Sequence, residues 1–143
     1  MTASASALSP TAKLVIVAGI GFAWGVAAQR LCVAAGYCDR RARGPGIGHA
    51  ALGVAVEELT YRVPLVIASR ALPQHAGTAL ALQSVAFGLA HAHPVIGIAS
   101  QAGRVADAAA GGLFYGVVAQ HWGLGYAFAA HLAHNFGVYL ATP

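Results

Sequence analysis

Apolar runs long enough to cross a bilayer follow one another through most of this chain, and that pattern leaves very few folds open to it. Five can be marked, at roughly 13–35, 46–69, 78–100, 105–120 and 123–140, each near the ~20 residues of a transmembrane helix, the fourth being short. The connections at 36–45, 70–77, 101–104 and 121–123 are brief. In lipid every backbone polar group must be satisfied internally, so only helices and closed barrels span. Barrel strands alternate in polarity, and these runs do not. The expectation is an all-α polytopic transmembrane helix bundle of about five spans. A flexible N-terminus covers 1–12, an additional transmembrane helix 13–35, and a core of four helices 46–140.

Composition agrees. Charged residues make up 8% of the chain and hydrophobic residues 58%, against roughly 25% charged in soluble proteins. The 18 glycines suit close helix packing in a bilayer. Gly21-x-x-x-Gly25 and Gly112-x-x-x-Gly116 are the two spacings that would serve it. The net charge of +4 comes from scattered basic residues, except for Arg40, Arg41 and Arg43 between two apolar runs. That cluster reads as a topology signal, and no nucleic-acid partner is expected. Arg40, Arg41, Arg43 and Arg104 share one side, while Lys13 and Arg70 share the other. This places the N-terminus outside and the C-terminus inside a bacterial inner (cytoplasmic) membrane. The segment after Lys13 lacks a clear cleavage site before Gln29 and Arg30, and reads as an uncleaved first helix. Cys32 reads as a small apolar packing residue, a disulfide with Cys38 being the open alternative, and the spacing of the two is too long for a metal-type pair.

The polar residues inside the spans are the exception to this pattern. Glu57 and Glu58, the only glutamates, stand in the middle of the second apolar run, with Arg62 following. One ionised side chain at a helix centre costs about 2.5–3.5 kcal/mol on insertion scales, so three in one span need a reason. His91 and His93 lie in the third run, just before Pro94, and His131, His134 and Asn135 in the fifth. Asp107 opens the fourth and reads as interfacial.

Helical spacing sorts this set. Glu58 and Arg62 are four apart with the acid N-terminal, the favourable order, and can neutralise each other. Glu57 points about 100° away, on the face of Tyr61. Glu58–Arg62 therefore reads as a brace and Glu57 as the acid left for chemistry. His131 and Asn135 share a face, whereas His91 and His93 are about 200° apart. A lone histidine in an apolar helix is more often an interhelical hydrogen-bonder than a catalyst, and Phe87, Phe114 and Phe136 read as packing. The set, however, spans three helices and suits hydrolysis. A carboxylate in low dielectric has a raised proton affinity and can act with a histidine as general base on water. A second histidine and an amide can donate to the oxyanion. Glu57, His91 and His131 could equally ligate a divalent metal such as zinc with an open fourth position, although no H-E-x-x-H occurs.

These residues resemble a known family. Glu57-Glu58-Leu59-Thr60-Tyr61-Arg62 is similar to the E-E-x-x-x-R motif of the CPBP family, the CAAX proteases and bacteriocin-processing enzymes. Phe87-Gly88-Leu89-Ala90-His91 is similar to its F-x-x-x-H motif, and His131-Leu132-Ala133-His134-Asn135 to its H-x-x-x-N motif. The run Gly112–Gly116 followed by Ala130-His131 resembles the family's final helix pair. The match covers roughly 46–140 and leaves the first span outside.

The resemblance implies a glutamic-type intramembrane endopeptidase. It would cleave a peptide or protein with a membrane-associated cleavage site, such as a prenylated C-terminus, a bacteriocin precursor or a sorting-signal protein. By motif position Glu57 would be the general base and His91 its partner on the water. His131 and Asn135 would stabilise the oxyanion, and Glu58 and Arg62 would support the site. His93 and His134 fall outside those roles and read as hydrogen-bonding neighbours. The chain departs from the family pattern after Arg62, where Val63-Pro64 stands in place of the usual Gly. It is also short, so a partner or second copy could complete it. Two rival readings remain at this point: a catalytically silent immunity or scaffold protein, and a membrane protein holding a b-type haem between His91 and His131.

Overall fold

A computed structural model of the chain describes residues 8–36, 47–92 and 98–142. Arg40, Arg41, Arg43, Cys38, His93 and Pro94 lie outside the described residues. The described elements are all helical: α1 (Pro10–Ala34), α2 (Ile47–Glu57), a π-helical turn (Glu58–Arg62), α3 (Val63–Ala71), a 3₁₀ turn (Pro73–His75), α4 (Ala76–Ala90), α5 (Ile98–His121) and α6 (Leu124–Ala141). The expected all-α bundle is the observed fold. Among the described residues α1 alone is long and apolar enough to cross a membrane by itself. α2 and α3 are each short, and the site's polar residues lower the hydropathy of the helices that carry them.

Local chemistry sets the helix limits. α1 starts at Pro10, three residues before the expected Lys13. Ser9 accepts a hydrogen bond from the Ala12 backbone N–H at 3.2 Å, and Pro10 at the first helical position needs no donor. It stops at Gly36, whose φ of 73° favours glycine. The expected third span running to 100 does not hold. α4 ends at Ala90 with His91 as its cap, and the expected loop at 101–104 lies inside α5. Pro94 in the sequence explains the early stop, since helices usually end before the residue preceding a proline. Cys32 is disulfide-bonded, so the open alternative holds in place of the simple packing reading.

Both glycine spacings form close helix contacts. A Cβ on Gly21 would fall on the Ala130 carbonyl oxygen, one on Gly25 on that of His134, and one on Gly137 on that of Phe22. α1 and α6 therefore run parallel, backbone against backbone. Gly88 meets Val105 and Ala109, Gly112 meets Phe87 and Ser84, and Gly116 meets Leu80. That order makes α4 and α5 antiparallel neighbours. The buried core of Val17, Tyr115, Val118, Ala119, Ala127 and Ala130 lies among α1, α5 and α6. Outside, large apolar side chains face outward from α2 to α4: Leu52 is 65% exposed, Ile67 62%, Leu82 67% and Leu89 60%. A soluble protein rarely shows so continuous an apolar exterior, whereas lipid would cover it.

Candidate active site

The site grows from a widened helical turn. Pro64 has no N–H to donate to Thr60, and its ring would clash with that carbonyl in an α-helix. The chain widens instead, with the Val63 N–H bonding the Glu58 carbonyl five residues back. Thr60 also donates its hydroxyl to the Val56 carbonyl at 2.8 Å, a back-bond of the kind that favours helix bending. π turns of this kind concentrate at functional sites. Glu57 closes α2 in ordinary α-helical geometry and Glu58 opens the widened turn, and both carboxylates reach α6.

They meet at His131. Its Nδ1 donates to Glu58 Oε1 at 2.9 Å, since a carboxylate can only accept, and its Nε2 lies 3.4 Å from Glu57 Oε2. The imidazole is 4% exposed. Tyr115 of α5 stacks on it with centroids 4.5 Å apart and planes at 12°, and Phe87 of α4 meets it edge-on at 5.7 Å. Ring position and both nitrogens are thus fixed.

His91 reaches the same carboxylate from the end of α4. The last carbonyls of a helix lack intrahelical donors, and His91 satisfies one by donating Nδ1–H to the Phe87 oxygen at 2.8 Å. In the neutral ring Nε2 is then an acceptor, and it faces Glu57 Oε1 at 3.9 Å. Two acceptors at that separation can both receive hydrogens from one water molecule. Glu57 is two-thirds buried and keeps some access, whereas Glu58 is nearly closed off.

Arg62 is fully buried. Its Nε lies 3.5 Å from Glu58 Oε1, so the brace exists but is shared: Glu58 makes its shorter contact to His131. The guanidinium lies 4.1 Å from the Phe87 ring, 5.5 Å from Tyr115 and 6.0 Å from Tyr61. Cation–π attraction of this kind strengthens when water is excluded.

The remaining residues are not hydrogen-bonded into this cluster. Asn135 is half-buried one turn beyond His131, and its side chain makes no hydrogen bond among the described residues. His134 is buried with Nδ1 unpartnered, edge-on to Trp24 and Tyr115, so it is not the hydrogen-bonding neighbour expected. Asp107 is not at the opening of a span. It lies inside α5 and accepts the Trp24 indole N–H at 2.8 Å. From the sequence Phe87 reads as packing and Tyr115 carries no role of its own. Their signal was present in Phe87's place in F-x-x-x-H, and in Tyr115's place between glycines that let α5 approach. Glu57, His91 and His131 meet, yet among the described residues no three His, Cys, Asp or Glu side chains are placed to hold a metal ion together.

The model of a family described as type II CAAX prenyl endopeptidase Rce1-like matches residues 45–137. Neither a curated protein nor a solved structure matches the chain. That family is one of integral membrane proteins, and its name points to a protease acting on a membrane-associated peptide or protein. The matched region takes in the widened turn, the α4 cap and His131 with Asn135, and extends over well over half of the residues, so this chain belongs to the Rce1-like, CPBP-type family of CAAX prenyl endopeptidases.

Proposed function

We propose that the protein is an intramembrane endopeptidase that hydrolyses a peptide bond with water activated by Glu57 and His91. The observation that carries this reading is the 3.9 Å separation between Glu57 Oε1 and His91 Nε2, the nitrogen that accepts in the neutral ring. Water placed there directs its hydrogens at both groups and a lone pair at the scissile carbonyl. Glu57 takes one proton as the water oxygen bonds to carbon. The proton passes to the leaving nitrogen as the C–N bond breaks, leaving an amine and a carboxylic acid, which gives its own proton to the amine or to solvent.

His131 and Asn135 serve the oxyanion. With Nδ1–H donated to Glu58, His131 serves the oxyanion through an Nε2–H of its doubly protonated ring, whose charge the Glu58 and Glu57 carboxylates at 2.9 and 3.4 Å balance. The unengaged Asn135 amide supplies a second donor. Glu58 and Arg62 hold His131 and balance charge. No step needs a metal. The five-pass arrangement with the N-terminus outside, in a bacterial inner membrane, belongs to this reading, and the outward apolar side chains support immersion in lipid. Nothing favours a haem between His91 and His131, since both Nε2 atoms face one carboxylate.

The test is cleavage of a membrane-anchored peptide by the full chain in proteoliposomes made with ¹⁸O-water. One ¹⁸O in the new carboxylate under single-turnover conditions supports direct attack by water. Absence of cleavage across a broad peptide set would support the silent immunity or scaffold reading instead.

A further inference from the structure

The Arg62 side chain is fully buried, yet among the described residues none of its three guanidinium nitrogens makes a hydrogen bond. Its 3.5 Å approach to Glu58 Oε1 is an ion pair only. Glu58 Oε2 is also buried without a hydrogen-bond partner, and so are both ends of the Gln83 amide on α4. Native interiors rarely leave buried polar atoms unpaired. These atoms belong to one seam among α3, α4 and α5. Phe87, one turn beyond Gln83, holds its ring 4.1 Å from the guanidinium. A Cβ at Gly116 of α5 would lie 3.0 Å from Gln83 Oε1 and 3.1 Å from Leu65 Cδ2. Leu65 follows Arg62 by about one turn, so the Gln83 amide enters the seam ~5 Å further along it than Arg62. Beyond that, Gln120 has partners, the Ser69 hydroxyl at 2.6 Å and the Ala76 carbonyl at 3.3 Å. The unpaired stretch of this seam is therefore confined to Glu58, Arg62 and Gln83.

We infer that Arg62 and Gln83 hold ordered internal water between them, and that this water makes Gln83 a positioning residue for the Glu58–His131 pair. Donors are in excess here: a guanidinium brings five N–H groups and an amide two, against the oxygens of one carboxylate and one amide. An anion would supply acceptors, but beside two carboxylates, Glu57 and Glu58, it would add uncompensated charge. Water accepts and donates without charge. One water bonded at ~2.8 Å on each side spans ~5.6 Å, which fits the step from Arg62 to Gln83, and such a bridge is nearly as good as a direct hydrogen bond. Water on Nη1 and Nη2 leaves Nε turned to Glu58, and Glu58 in turn accepts from His131 Nδ1. Gln83 thus acts on the imidazole through Arg62 and Glu58, without touching substrate. Only the consequence for cleavage rests on the endopeptidase reading.

The experiment is solid-state NMR of the full chain in liposomes, with ¹⁵N-labelled arginine and histidine and water as the probe. It reads magnetisation transfer from water protons to the Arg62 Nη signals, assigned by their loss in Arg62→Lys, and the resonance of His131 Nδ1. The native chain should show the transfer. Gln83→Met has a similar length without the amide. It should weaken the transfer, shift the His131 Nδ1 resonance and lower kcat about tenfold with KM little changed, the scale of a hydrogen bond to a charged group. Gln83→Asn keeps an amide and leaves room for one more water, and should recover the transfer and most of the rate. No transfer to Arg62 in the native chain overturns the inference, whether or not Gln83→Met folds. A His131 resonance that ignores Gln83→Met overturns it too, as does a Gln83→Met protein that melts higher with the transfer intact, since the amide is then merely unpaired. Cleavage is measured separately. A native chain that shows both signals but cuts no peptide would remove only the enzymatic reading.

Discussion

Tyr115 lies flat against His131, centroids 4.5 Å apart and planes 12° apart, in the middle of the bundle. The stack keeps the imidazole edge turned so that one nitrogen meets Glu58 and the other meets Glu57. Tyr115→Phe preserves the ring and should keep most activity. Tyr115→Leu removes the flat face and should lower kcat at least tenfold with KM little changed, because substrate does not touch Tyr115. Equal losses in the two variants would show that the stack does not position His131.

Glu58 and Glu57 should separate cleanly in mutagenesis. Glu58→Gln keeps an acceptor for His131 Nδ1 and should lose activity only partly. Glu58→Ala leaves the buried Arg62 without its carboxylate, and breaking such a pair costs about 3–5 kcal/mol. A thermal-unfolding series in detergent should therefore rank the native chain and Glu58→Gln well above Glu58→Ala. Similar melting for all three would contradict the buried-pair assignment.

Much of this was legible in the sequence. Long apolar runs fixed the helical class, and Glu57, His91 and His131 stood out because polar groups in such runs are costly. Helical phase puts about 100° between Glu57 and Glu58, and that angle does not show that both carboxylates reach one imidazole. Spacing along one helix also could not show that His131 on a distant helix would be Glu58's closer partner. The role of His91 as a helix cap depended on where α4 ends, which an apolar run extending past it concealed. Trp24 and Asp107 are 83 residues apart, and no local pattern joins them.

The π turn itself is testable. Pro64→Ala restores an N–H and removes the ring clash, so the segment can relax toward an α-helix. That should raise or preserve thermal stability while turning the glutamates away from His131. Displacing a catalytic group by about 1 Å can cost 100-fold in rate, and a loss of that order is expected. Unchanged activity would show that the turn does not set the geometry.

Packing of α1 on α6 gives a sharp contrast. Gly25→Val drives a side chain into the His134 backbone and should destabilise the fold by several times the ~1–3 kcal/mol typical of overpacking. Gly19 has nothing within 4 Å of an added Cβ, so Gly19→Ala should be tolerated. Yield of folded protein by size-exclusion chromatography reads both.

Chelation addresses the water-activation chemistry from another side. Dialysis against a strong zinc chelator should leave the cleavage rate unchanged. A loss restored by added zinc would place a metal in the mechanism.

The most direct test of the central claim is single-turnover cleavage by Glu57→Gln beside the native chain, with folding checked by thermal melting. Glutamine fills the same space but cannot take a proton from water, so the rate should fall by about 100-fold or more, the general-base contribution, with the melt unchanged. A well-folded Glu57→Gln protein that cleaves at the native rate would contradict the account.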